Sequence, residues 1–272
     1  MAKSIEFTWN PEEISVYIKA KEKAVEYQDS VAVARKMKSE LGRAPKILEA
    51  GSGNGCVVMM FEKLGFKNIY GLEYNKEIVS VLNREFPSMH FLQGDILNMP
   101  KSLLNNDFIM SFGLVEHFID GPDMPLKALY DALNDDGYAV ISVPCLNFAR
   151  RIKKHWDKAT KKAIKESGTH FKYHPWFFNG GFYEYHMTPR QFKRECRNAG
   201  FEIVKHAAAQ QNLGIMHVLN PNNKPGKLIW YYELEEYKYS KMGRVIYWIA
   251  NKFPFLFNHF QYCILHKKSQ KS

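Results

Sequence analysis

Long apolar runs are missing from this 272-residue chain, and so are clustered cysteines. No stretch approaches the roughly 20 consecutive apolar residues that span a bilayer. The first residues carry no apolar signal core, which predicts a cytoplasmic protein. The four cysteines, Cys56, Cys145, Cys196 and Cys263, are widely scattered. Without a C-x-x-C pair they offer neither a zinc knuckle nor a dithiol redox motif, and they read as reduced core residues. His170, His174 and His186 recur at close spacing, but no carboxylate or cysteine joins them at a recognisable ligand interval, so no metal site is read. Negative charge is scarce: 28 Asp and Glu face 38 Lys and Arg, a formal net charge of +10. Phosphate-loop chemistry is missing too, because no Gly-Lys-Ser/Thr follows the glycine-rich turn.

What the chain does have is Lys46-Ile47-Leu48-Glu49-Ala50-Gly51-Ser52-Gly53-Asn54-Gly55, then Val57-Val58-Met59-Met60-Phe61. The pattern is strand, tight glycine turn, helix. Glycine serves where φ is positive or where a ligand lies against bare backbone, and a helix start offers free N–H groups. The loop reads as a small-molecule cradle at the carboxyl end of a first parallel strand. A dinucleotide site has G-x-G-x-x-G. Here the third glycine comes one residue early, and Cys56 stands at the required position. Asn68 to Leu72 reads as a second strand with Glu73 at its end. A carboxylate about 20 residues past such a loop is where a ribose is held by its two hydroxyls. Asn75 to Phe86 is a helix with Ile78, Val79, Leu82 and Phe86 on one face. Further strands follow at Met89–Gln93, Asp107–Phe112 and Tyr138–Val143, the last after a turn at Leu133–Gly137. A helix from Thr188 to Ala199 begins with a cap and ends at Gly200. Phe201–Val204 and Gln261–His266 complete the strands.

An acidic residue two before the first glycine of G-x-G-x-G, followed by this succession, resembles the class I S-adenosylmethionine (SAM) methyltransferases. The small-molecule type is the nearest, as found in ubiquinone and menaquinone biosynthesis and in methylation of sugars and natural products. The resemblance covers Lys46 to about His206 plus the final strand. It implies an α/β fold, a Rossmann-like doubly wound seven-stranded sheet, mostly parallel with an antiparallel last strand. It also implies SAM as cofactor. Glu49, Gly51, Gly53 and Gly55 then line its methionine part, Glu73 binds its ribose, and Asp95 with Ile96 beside it holds its adenine. Phe112 opens a segment running to His117 that borders both SAM and the acceptor. Plainer readings stand beside these: Asp95 is a favoured helix cap, and His117 suits a buried hydrogen-bonded histidine. The implied reaction is in-line attack of an acceptor oxygen or nitrogen on the SAM methyl, with His117 as first candidate base and His186 or Tyr183 next. No Asn/Asp-Pro-Pro-aromatic follows the fourth strand, which disfavours base-amino methylation of nucleic acid. Pro144-Cys145 follows the fifth strand, out of place for a cytosine-attacking thiol. A non-catalytic SAM-binding or docking module, or an RNA-directed methyltransferase, is the alternative.

Residues 1–45 read as an N-terminal helical cap, begun at Asn10-Pro11-Glu12-Glu13. Residues 46–272 read as the methyltransferase domain, with insertions at 144–187 and 207–260. In the first insertion Ile152, Trp156, Ala159 and Ala163 fall at helical spacing among Arg150, Arg151, Lys153, Lys154, Lys158, Lys161, Lys162 and Lys165. Over 144–172 nine basic residues meet two acidic ones, a surplus that accounts for most of the chain's net charge. Such a face suits an anionic neighbour, either a phosphorylated small-molecule acceptor or an acidic membrane surface touched peripherally, ahead of nucleic acid. An ordinary solvated helix has the same composition. From His170 to His186 aromatics crowd around Gly180-Gly181, read as a flexible centre. This segment is either an acceptor wall, with His174, Tyr183, Tyr185 and His186 as its polar groups, or a satellite apolar cluster. In the second insertion Asn220–Gly226 is a turn cluster. Lys241–Phe257 mixes Val245, Trp248 and Phe253 with Arg244 and Lys252, as a membrane-interface, dimer-contact or buried segment would.

Overall fold

A computed structural model describes residues 10–153, 158–211, 213–215 and 241–268. Its main sheet is built from β1 (Ile47–Ala50), β2 (Ile69–Glu73), β3 (His90–Gln93), β4 (Asn106–Phe112), β5 (Leu133–Pro144), β8 (Glu202–Ala209) and β9 (Phe260–His266). A separate hairpin pairs β6 (His174–Phe178) with β7 (Gly181–His186). The sheet order is β3-β2-β1-β4-β5-β9-β8. β1 to β5 run parallel to one another, and β9 lies antiparallel between β5 and β8. The doubly wound sheet with one antiparallel strand is therefore as the sequence implied.

Alternation along the central strands explains the layers. Ile47, Phe108, Met110 and Val140 join one apolar cluster, with Tyr27, Val31, Ala34 and Met37 of α2 (Val25–Leu41) and Val57 to Phe61 of α3 (Cys56–Lys63). Leu48, Ile109 and Ile141 join the other, with Leu126 and Leu129 of α5 (Asp123–Asp131) and Phe192 and Cys196 of α8 (Pro189–Asn198). Successive residues point to opposite faces, so strands covered on both sides are apolar throughout. α2 is thus one layer of the sandwich. α1 (Pro11–Glu22) packs on α3. Asn75 caps α4 (Lys76–Glu85), accepting from the Glu77 and Ile78 N–H groups. Thr188 and Gln191 form the capping box of α8. All four cysteines are free and buried. Burial pushes the Cys145 thiol up to about 11, against a nucleophilic role.

At the amino ends of β1, β4 and β5, Asp107 gathers the sheet. Its carboxylate accepts from Arg43 at 2.7 and 2.9 Å, from the Lys46 N–H at 2.8 Å and from Asn134 at 2.9 Å. Burial alone would raise this carboxyl. The Arg43, Lys46 and Asn134 hydrogen bonds outweigh burial and hold it below the ordinary aspartate range. Its stabilisation is complete above the ordinary aspartate pKa and is lost as pH falls through the depressed value. Asp107→Ala is expected to destabilise by about 2 kcal/mol, a fall of about 4–8 °C in Tm at neutral pH. A melting temperature unchanged at pH 7 would contradict this.

Several boundaries differ from the sequence reading. The turn placed at 133–137 lies within β5, which pairs from Leu133 and resumes at Tyr138 after an irregularity. The sixth strand extends to Ala209 and the last starts at Phe260, so the second insertion is shorter than 207–260. Its Asn220–Gly226 cluster lies outside the described residues. Its later part holds α9 (Lys241–Lys252). Among the described residues no helix is long and apolar enough to cross a membrane.

The first insertion departs furthest. The described parts of its basic segment are α6 (Phe148–Lys153) and α7 (Lys158–Ser167), and Trp156 lies outside the described residues. Ile152 and Ala159, expected on the buried face, are exposed, whereas Thr160 is buried. Arg150 is not on an open face either. It donates to the Cys145 and His259 carbonyls at 2.8 and 3.1 Å, tying the insertion to the start of β9. The supposed flexible glycine pair is a tight turn. Asn179 and Gly180 both have positive φ, +50° and +82°, between the paired Phe178 and Gly181. An Asn-Gly step of that kind matches strand twist in a two-residue hairpin. The insertion also begins and ends at one place. The Leu146 N–H donates to the Met187 carbonyl at 2.8 Å, and the Met187 N–H donates to the Pro144 carbonyl at 3.2 Å.

Candidate active site

The sheet order reverses between β1 and β4. In open α/β sheets the crevice beyond the carboxyl ends at such a point is where ligands sit. Glu49, Glu73, Asp95 and Phe112 all lie at the carboxyl ends of β1 to β4. The glycine loop is locked by its own backbone. The Gly51 and Ser52 N–H groups both donate to the Leu72 carbonyl, at 2.8 and 2.9 Å, and the Gly55 N–H to Ser52 at 2.8 Å. Gly51, Gly53 and Gly55 take φ of +77°, +49° and +73°. A Cβ on Gly55 would meet the Phe91 ring at 2.8 Å, whereas one on Gly53 would enter open space. Gly55 is therefore glycine for packing, and Gly53 leaves bare backbone facing the crevice.

Glu73 shapes this loop. One carboxylate oxygen accepts from the Gly53 N–H at 2.9 Å, the other from Asn75 at 2.8 Å. Each oxygen keeps a lone pair for a further donor. Asp95 uses Oδ1 to accept from the Leu97 N–H at 2.9 Å, capping a short 3-10 turn, so its plainer reading holds for one oxygen. Ile96 packs into the core beneath. Phe112 is half-buried, and the Lys21 ammonium of α1 sits 5.3 Å from its ring. Sequence reading gave no hint of Lys21, which reaches the site across 91 residues of chain from Phe112.

Glu49 is 4% exposed, and its Oε2 has no hydrogen-bond partner. Burial raises its carboxyl to about 8, with the Lys21 charge and the Val58 N–H pulling the other way. Between the ordinary glutamate range and about 8, the folded protein therefore holds a proton that the unfolded chain lacks. Stability falls as pH rises through that window. Glu49→Gln should match wild type in Tm near pH 5 and exceed it near pH 8. A cationic ligand should bind wild type more tightly as pH rises through the same interval, and Glu49→Gln should show no such rise. A ligand-binding profile of the same slope in both proteins would refute the assignment.

The loop after β4 meets the β6–β7 hairpin. The Tyr185 hydroxyl, on a fully buried side chain, donates to the Ile119 carbonyl at 2.6 Å and fastens hairpin to loop. Tyr173, Tyr185 and Phe182 pack into the core. Half of the aromatic run is thus a packing cluster, and Tyr183, Trp176 and Phe178 remain as a wall. His117 is exposed rather than buried. Its Nδ1 lies 2.7 Å from the Tyr183 carbonyl, and its ring meets the Tyr183 ring edge-on at 4.9 Å. His186 is buried, with Nε2 at 2.9 Å from Glu184. Burial, then the Arg150 charge, holds this imidazole well below its usual range. It is placed to hold Glu184, whereas His117 and Tyr183 are exposed.

Two acids here were given no role of their own by the sequence reading. Glu116 is 1% exposed with neither carboxylate oxygen partnered. Burial and the neighbouring Glu184 charge hold it well above the usual glutamate range. Glu184 is also buried, which raises it to about 7. The available signal was an acid set within the aromatic alternation Phe182-Tyr183-Glu184-Tyr185-His186.

Residues 20–206 match the family described as a methyltransferase domain. The chain belongs to that family. As a SAM-dependent methyltransferase it is 21% identical over 193 residues to a demethylmenaquinone methyltransferase of Chlorobaculum tepidum, covering 69% of this chain and 79% of that one. An uncharacterised methyltransferase of Oceanobacillus iheyensis is 24% identical over 121 residues, 44% of this chain. The match spans only just over half of that relative, 56% of its length. Among solved structures, a Burkholderia thailandensis 1,6-didemethyltoxoflavin-N1-methyltransferase with bound S-adenosylhomocysteine shares the fold. Its TM-score is 0.52 at 12% identity, over 97% of this chain and 92% of that one. SAM is the cofactor of this methyltransferase, and the residues present fit it. Glu49 offers a buried, unpartnered oxygen to a cation, Gly53 leaves open backbone, and Glu73 keeps lone pairs for a ribose diol.

Proposed function

We propose that this methyltransferase methylates an oxygen or nitrogen of a small ring-bearing acceptor that carries an anionic or lipid-linked group. One observation carries the reading: His117, at the end of the loop leading from β4, is bonded to the hairpin at Tyr183. With Nδ1–H donating to the Tyr183 carbonyl, Nε2 presents its lone pair on an exposed side chain. Tyr183, with Trp176 edge-on at 6.0 Å, supplies a flat aromatic wall beside it. SAM supplies an electrophilic methyl on a sulfonium. In attack on such a methyl the acceptor atom would lose a proton, and His117 Nε2 would take it. Holding the two reactants in line supplies roughly 7–11 kcal/mol of the barrier reduction. The name of the Chlorobaculum relative agrees with a ring-bearing acceptor.

The surface supports an anionic acceptor or membrane face. Phe148 and Ile152 are exposed beside Arg151 and Lys153 on α6. Val245 and Trp248 are exposed on α9, with the Lys252 ammonium 4.4 Å from the Trp248 ring. Apolar and basic side chains together are what an anionic lipid interface binds. The test is S-adenosylhomocysteine release with hydroquinones, phenols, aryl amines and sugar phosphates, alone and on anionic vesicles. Turnover is expected with a ring hydroxyl or amine, and vesicle binding is expected to weaken as salt rises. SAM binding without turnover on any of these would make the chain a docking module instead.

A further inference from the structure

We propose that Glu116, His117 and Glu184 form a binding site for one divalent transition-metal cation, of the zinc or manganese class. One ligand atom from each residue lies within 4.8 Å of the others. Bonds of about 2.1 Å draw three ligands to roughly 3.4–4.2 Å apart, a side-chain adjustment from the observed spacing. Two carboxylates and one imidazole are a hard-to-borderline donor set suited to such a cation. Proximity of acids is not the argument by itself. Glu116 is almost wholly buried, yet both of its oxygens lack a hydrogen-bond partner. Buried carboxylate oxygens are ordinarily paired or bound to a metal.

The surroundings already orient the ligands as metal sites do. His117 directs Nδ1 to the Tyr183 carbonyl at 2.7 Å, which leaves Nε2 for coordination. Glu184 has one oxygen on His186 Nε2 at 2.9 Å and the other remaining. The three residues come from the loop after β4 and the hairpin strand β7, so the cation would bridge the two elements that meet at the acceptor. His117 and Tyr183 are exposed while both acids are buried, so three protein ligands leave the remaining positions toward the open side. There an acceptor hydroxyl can coordinate and become more acidic. This role in transfer rests on the function proposed above. Nε2 is then a ligand, and the acceptor proton passes to water.

The test uses the full chain stripped with a chelator, titrated with Zn²⁺ by calorimetry and with Co²⁺ by visible absorption. One equivalent should bind, with d–d bands at one Co²⁺ per chain. His117→Ala, Glu116→Gln and Glu184→Gln should each weaken binding at least about 100-fold, and His186→Ala about 10–100-fold through the lost orientation of Glu184. His117 is exposed, so its variant tests the site even if a buried-acid variant misfolds. No saturable binding, or binding that all of these variants retain, overturns the site. Acceptor turnover that survives full chelation overturns its catalytic role while leaving methyl transfer standing. One-equivalent binding in a protein that turns over no acceptor supports the site and counts only against the proposed function.

Discussion

Replacing Glu73 by alanine is expected to weaken SAM and S-adenosylhomocysteine binding by about 10²–10⁴-fold. A ribose diol held here would donate two hydrogen bonds to this carboxylate, each charge-assisted and worth about 1.5–3 kcal/mol. Every 1.4 kcal/mol lost is about tenfold in affinity. The substitution also removes the acceptor for the Gly53 N–H, which now holds the crest of the glycine loop at 2.9 Å. Glu73→Gln should fall between the two. Its amide oxygen can still accept, but its NH2 must face either the Gly53 or the Asn75 N–H, and both are donors. Calorimetry decides: an affinity within a few fold of wild type in Glu73→Ala would remove the ribose from this position.

Replacing His117 by alanine is expected to lower turnover by about 10²–10⁴-fold, the span of a positioned acid–base group. Cofactor affinity should stay within a few fold, because the imidazole lies on the hairpin side of the crevice and is bonded to Tyr183 rather than to the glycine loop. Stability should change little, since the side chain is exposed. A loss confined to KM would make His117 an acceptor-binding group. A loss shared by kcat and kcat/KM places it in the transition state. Unchanged turnover would move the chemistry to Tyr183.

The glycine loop and the two strand-end acids beside it were legible because their signals are local. Glu49, the three glycines and Glu73 lie within 25 consecutive residues, and strand–turn–helix pattern plus glycine chemistry suffice to place them. Gly53 and Gly55 read alike in sequence, yet one faces open space and the other Phe91, a strand away. The cluster of Glu116, His117, Glu184 and His186 depends on contacts between distant segments. Nothing near Glu116 announces Glu184, and nothing near His186 says that it will be buried against that acid. Hairpin docking decides both. The hairpin itself had a local signal, Asn179-Gly180 between aromatic alternations, but reading the neighbouring Gly180-Gly181 as the centre shifted the turn by one residue. Likewise Ile152 sits at helical spacing with an apolar row, and only tertiary packing reveals that Thr160 takes the buried place.

The hydrogen bonds that join Leu146 to Met187 and Met187 to Pro144 bear on what can be changed between them. They close the first insertion at its base, so the scaffold meets the same two neighbouring attachment points whatever lies between them. Loop-closure entropy grows only slowly with length. Segments of different length can therefore be closed there at little entropic cost, provided that they replace the core contacts of Tyr173 and Tyr185. The insertion is thus anchored twice, by the backbone bonds at its base and by Tyr173 and Tyr185 in the core, and only its exposed side chains can be changed without a packing cost.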